Sequence, residues 1–201
     1  AVQASVNFLD PYLLKCKVLL RERFKPHNRE RRAELSAQIF EIASYVVEKE
    51  ASNAGALAMM ASYYFQLNDL GNARHYANEA FGINPNNSAA TRALSLTEAY
   101  AGNIELAYDY FLKTQALDPS EWSEWPQFEV SLLMVLGRMN EALDKITRAV
   151  ENDPENNLLL GFKVAVLGNL DRLADAQRDL EAFLQLRPDV TSLADYAPLL
   201  P

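Results

Sequence analysis

The sequence holds one cysteine, Cys16, so no intrachain disulfide can form, and a lone thiol fits a reducing compartment. It has only 7 glycines in 201 residues and two histidines, His27 and His75. Neither histidine has a cysteine or a second histidine at ligand spacing, so a zinc site is not expected. No run reaches the roughly 18 uninterrupted apolar residues that a membrane span requires. The opening stretch AVQASVNFLDPY has neither a basic n-region nor an apolar h-region and does not read as a signal peptide. It begins without methionine, and the expectation is a cytoplasmic domain cut from a longer chain. GxSxG, GxxxxGK[ST] and GxGxxG are all absent. The expectation is therefore no enzyme, no cofactor and no metal.

Charge is unevenly spread. Residues 1–32 carry eight Lys/Arg and three Asp/Glu, a net of +5, which leaves −13 for residues 33–201 out of the chain's −8. An acidic body of that kind argues against nucleic-acid binding. The basic stretch RERFKPHNRERR (21–32) reads either as a docking segment for an acidic partner or as a solvated loop between helices.

What the chain does have is helix-forming residues in a period. Pro85, Pro119, Pro154 and Pro188 follow one another at steps of 34, 35 and 34. Twelve residues before each proline stands a small one: Ala73, Ala107, Ala142, Ala176. Eight before stands Ala77, Phe111, Ile146 or Leu180, and five before Ala80, Thr114, Ala149 or Phe183. These spacings fall on one helical stripe, and the small residue leaves room for a neighbouring helix. Upstream of each alanine lies a short turn, and upstream of that another apolar-periodic run. Each unit is thus helix, turn, helix and a proline-marked turn, since proline inside a helix costs about 3 kcal/mol. Polar residues after the prolines, Asn87–Ser88 and Ser120, are candidate caps for the next helix.

The small–x3–large–x2–small–x4–Pro pattern, with Gly102 and Gly137 at the inter-helix turns, resembles the tetratricopeptide repeat. The departures are Asn68 and Asp171 in place of the turn glycine, no tryptophan early in the first helix, and one extra residue near 120–122. The resemblance implies an all-α fold, a right-handed α-α superhelix of antiparallel helix pairs forming one continuous domain. Its parts are a degenerate pair with the basic loop over 1–53, four units over 54–87, 88–122, 123–156 and 157–190, and a capping helix over 189–201. Ile39, Ala43 and Val46 take the stripe positions of the degenerate pair. The leading DPYLLKCKVLLRERF, the basic loop and the tail LRPDVTSLADYAPLLP are also similar to the C-terminal repeat region of bacterial signalling proteins, either winged-helix regulators or nucleotide cyclases.

The family's concave face takes side chains from the first helix of each unit. Carried onto this sequence, the resemblance gives a partner-binding groove of Met59, Phe65, Arg92, Tyr100, Phe128, Ser131, Met134 and Phe162. The clamp that holds C-terminal carboxylates in some relatives needs lysines and asparagine where this chain has Ala58, Ser62, Ala89 and Ala93. Only Arg92 fits it. The implied partner is an apolar or amphipathic protein segment, with Arg92 at the rim facing an acidic residue of the guest. Self-association as a homodimer is the alternative, and neither nucleic acid nor membrane is expected as a partner. Trp122 and Trp125 read as packing of the irregular turn or as an exposed anchor. Cys16, on one stripe with Leu13 and Leu20, reads as a buried structural thiol. NNS at 86–88 reads as turn chemistry rather than a glycan site.

Overall fold

The computed structural model describes residues 9–122 and 125–188; the expected capping helix lies outside them. Ten α-helices follow in order: α1 (Asp10–Phe24), α2 (Arg32–Lys49), α3 (Ala54–Gln66), α4 (Leu70–Ile83), α5 (Ser88–Tyr100), α6 (Ile104–Leu117), α7 (Pro126–Val135), α8 (Met139–Asn152), α9 (Asn157–Asn169) and α10 (Leu173–Leu186). Two 3₁₀ turns, η1 (Pro26–Arg31) and η2 (Pro119–Trp122), interrupt them, and no strand occurs among the described residues. The chain falls into two compact units, Ala1–Glu124 and Trp125–Pro201.

The period of the sequence is the period of the helices. Asn68, Gly102, Gly137 and Asp171 all sit at positive φ, at +59°, +86°, +72° and +55°. Each ends a first helix at the same point of its unit. Glycine takes this left-handed conformation without a Cβ penalty, and asparagine and aspartate tolerate it better than other residues. The two departures from the glycine pattern are thus the replacements that backbone sterics allow.

The other ends are set by side chains. Asn53 accepts a hydrogen bond from Ala56 N at 3.0 Å, Asn87 from Ala90 N at 3.0 Å and Asn156 from Leu159 N at 3.3 Å. Each asparagine oxygen satisfies a donor that the first turn leaves unpaired. The corresponding place in the third unit holds Glu121 and Trp122 instead. There the first turn is replaced by η2, and α7 restarts at Pro126, whose fixed φ suits a first helical position. Ser120, expected as a cap, belongs to η2. Its N–H and hydroxyl donate to Asp118 Oδ1 at 3.0 and 2.7 Å.

Within the first unit the core runs along the predicted stripe. Ala73, Ala77, Ala80 and Ala107 are fully enclosed, as are Phe111, Thr114, Ile39, Ala43 and Val46. Cys16 is buried too, with its Sγ donating to Ile39 O at 3.7 Å, and burial pushes its thiol up to about 11. In the second unit Ala142 and Ile146 are enclosed, with Ala176 and Phe183 nearly so. The basic loop becomes the end of α1 and η1, where Lys25 pairs with Glu22 at 2.6 Å and Arg31 with Glu34 at 3.1 Å.

An alanine at full burial between paired helices has no space for a longer side chain. Ala107→Leu and Ala142→Leu are each expected to lower stability by about 1–3 kcal/mol through overpacking. Thermal melts of the two variants check this.

Candidate functional site

The first helices α1, α3 and α5 present one face of the first unit. At α5 that face is covered: all ten residues from Ala89 to Glu98 are buried. Met59 on α3 is 3 % exposed and Arg92 on α5 is 5 % exposed, so Arg92 does not stand at a rim. Its guanidinium lies 5.6 Å over the Trp122 ring, and Trp122 in turn packs at 5.0 Å from Phe111. Burial lowers the Arg92 pKa, and the nearby Glu121 carboxylate partly offsets that. Trp122 is a buried packing residue, whereas Trp125 keeps part of its ring exposed.

What covers these residues is α1 together with η2. The Lys17 ammonium on α1 donates to Glu121 Oε1 at 3.2 Å, and Ser88 Oγ donates to the same oxygen at 3.1 Å. Arg21 Nη2 donates to Ser120 Oγ at 3.3 Å. Lys17, Leu20, Arg21, Met59, Arg92 and the Ser120–Glu121 pair enclose a cavity of only about 30 Å³. At the other end of α1, Leu13 lies so close to α3 that a Cβ on Gly55 would come within 2.9 Å of it.

The far end of the face is different. Phe65 and Tyr100, at the C-terminal ends of α3 and α5, meet edge-to-face with centroids 4.9 Å apart. Tyr100 is 58 % exposed, Phe65 is half-buried, and Leu67, just past the end of α3, is 57 % exposed. The sequence placed Met59, Phe65, Arg92 and Tyr100 on one surface; the folded unit separates them into a covered pair and an accessible aromatic pair.

In the second unit Phe128 is buried, while Ser131, Met134 and Phe162 are half-buried. The Ser131 hydroxyl donates to Gln127 O at 3.0 Å, within its own helix. A charged cleft of about 450 Å³ lies between α8, α9 and α10, lined by Arg148, Lys163, Arg178, Glu151 and Asp179 among others. Lys163 and Asp179 pair across it at 2.9 Å. The sequence reading missed this cleft and missed Lys17 and Glu121; it took Arg21 only as part of the basic stretch and Ser120 only as a cap.

Comparison with known proteins agrees with this architecture. The family model of the tetratricopeptide repeat matches residues 54–87. No curated protein matches the sequence. Among solved structures the chain is similar to MamA, with a TM-score of 0.62 and 10 % identity over 82 % of this chain and 96 % of that one. The RS-1 MamA ArsTM double mutant gives 0.65 and 14 % over 87 % and 96 %. YrrB, described as a TPR protein with an unusual peptide-binding site, gives 0.63 and 18 % over 94 % and 91 %. The chain therefore has the all-α fold of the tetratricopeptide α-α superhelix class.

Burial separates the roles of two aromatic residues on the first helices. Phe128→Ala is expected to cost about 3–5 kcal/mol, as for other buried phenylalanines, and to lower the melting temperature by many degrees. Tyr100→Ala is expected to change stability by no more than about 1 kcal/mol. Paired thermal melts decide between these assignments.

Proposed function

We propose that the chain is a non-catalytic protein-interaction module that binds an apolar or amphipathic protein segment on the face of its first helices. In this reading it works in the cytoplasm as a regulatory or interaction domain of a larger bacterial signalling protein. The observation that carries the proposal is the accessible Phe65–Tyr100 pair at the end of α3 and α5. Two rigid aromatic rings offer large contact area with little rotamer entropy to lose, which is why such residues concentrate binding energy. The peptide-binding site described for the similarly folded YrrB supports a peptide as guest. Met134 and Phe162, half-buried on α7 and α9, are the candidate contact residues of the second unit.

The reading is tested by selecting displayed peptides on the full chain and retesting them on Tyr100→Ala and on Asn78→Ala, whose side chain is exposed on the second helix α4. Binders are expected to weaken at least tenfold on Tyr100→Ala and not on Asn78→Ala. The reverse pattern, or no binders at all, contradicts the proposal. Sedimentation of the same proteins covers self-association: a dimer dispersed by Tyr100→Ala identifies a second copy as the guest.

A further inference from the structure

We infer that the end of α1 and the start of α2 form an anion site, in which Arg23 and Arg32 take a phosphate group beside Ser36. The inference stands apart from the Phe65–Tyr100 surface and gives the basic stretch of residues 21–32 a ligand.

The folded unit sorts that stretch into two kinds of cation. It holds six Lys/Arg against two Asp/Glu, in a chain whose net charge is −8. Lys25 is answered by Glu22 at 2.6 Å and Arg31 by Glu34 at 3.1 Å, each three residues away and exposed. Arg23 and Arg32 are half-buried instead. No carboxylate of the described residues pairs with Arg32, and its Nε is shut off from water and donates to nothing.

Hydrogen bonds bring these two residues together. Arg23 Nε donates to Ser36 Oγ at 2.8 Å, and that hydroxyl lies 2.8 Å from Arg32 O and against the Gln66 side chain at the end of α3. Ser36 is itself buried. A neutral hydroxyl fixes the place of Arg23 and leaves the local charge unchanged. Burial, and after it the charge of Arg32, push the Arg23 guanidinium down to about 10, so the two cations stand in each other's field. Arg32 also opens α2, at the end of a helix where the dipole disfavours a cation. Two half-buried like charges at a helix start oppose folding unless an anion completes them. The fold keeps them together although the same stretch pairs Lys25 and Arg31 locally.

The chemistry of the ligand follows. Guanidinium forks match the oxygens of phosphate and carboxylate groups. Two adjoining cations answer a doubly charged anion better than a singly charged one, and the helix start adds a field of the same sign. A phosphate group carries about −1.5 to −2 at neutral pH. The ligand is therefore a phosphate group, free or esterified, and a monocarboxylate is a weak competitor.

The test is a titration of the full chain with inorganic phosphate at about pH 7.5, where the ion is mostly doubly charged, at constant ionic strength and followed by NMR. Saturating shifts are expected at the Nε–H groups of Arg23 and Arg32 and at the Ser36 amide. Arg32→Gln, its fold verified by a melt, is expected to weaken phosphate binding about tenfold, the loss of one charge-assisted hydrogen bond. Arg31→Gln removes the exposed cation next to it in sequence and is expected to weaken binding less than about twofold, as for a screened surface charge. Acetate is expected to bind about tenfold more weakly than phosphate. O-phosphoserine separates the two sources: binding tighter than inorganic phosphate identifies an esterified group, and weaker binding identifies the free ion. Shifts that never saturate, equal affinity for acetate, or equal losses in Arg31→Gln and Arg32→Gln overturn the inference. The wild-type shifts decide it even if Arg32→Gln does not fold.

Discussion

The close approach of two helices at an alanine is the contact on which the rest of this molecule depends. Ala73 and Ala107 in the first unit and Ala142 in the second are fully enclosed. A methyl group at that point lets the paired helices settle close enough to bury their stripes, and a larger one forces them apart. A single helix pair has too little apolar surface to be stable alone, so the pair must be repeated. The turn residue at positive φ and the asparagine cap then fix where each helix ends. Fixed ends turn a loose hydrophobic period into a register.

The third unit shows what happens when one of these devices is missing. With Glu121 and Trp122 where an asparagine cap would stand, the first turn of α7 is lost and η2 takes its place. The consequence is chemical as well as geometric. The carboxylate freed from any capping role faces Ser88 and Lys17, while the tryptophan lies between Arg92 and Phe111. A local break in the repeat thus adds a polar contact to α1, whose apolar side packs on α2. Breaks in local rules tend to mark functional places, because a sequence under pressure only to fold would repair them.

Much of the fold was legible in the sequence, for a specific reason. Small–large–small spacing and proline steps act over a few residues, and local physics decides them. The helix pairs and the stripe from Ala73 to Phe183, enclosed at most of its positions and half-buried at Ala149 and Leu180, follow from such signals. The candidate surface was less legible. Position in a repeat tells which residues line a face and says nothing about what lies over that face. Met59 and Arg92 take groove positions and are covered by α1, while Phe65 and Tyr100 take groove positions and meet each other at an open end. The cover includes Lys17 meeting Glu121, a pairing across about a hundred residues that no periodicity encodes.

The central claim is that the enclosed alanine holds each helix pair shut. Amide hydrogen exchange on the full chain, with and without Ala107→Leu, measures this directly, because local opening and global unfolding expose different amides. The account predicts that Ala107→Leu raises the exchange rate of α5 and α6 amides at least about fivefold, the loss that overpacking implies. Protection of α5 and α6 that is unchanged would contradict it.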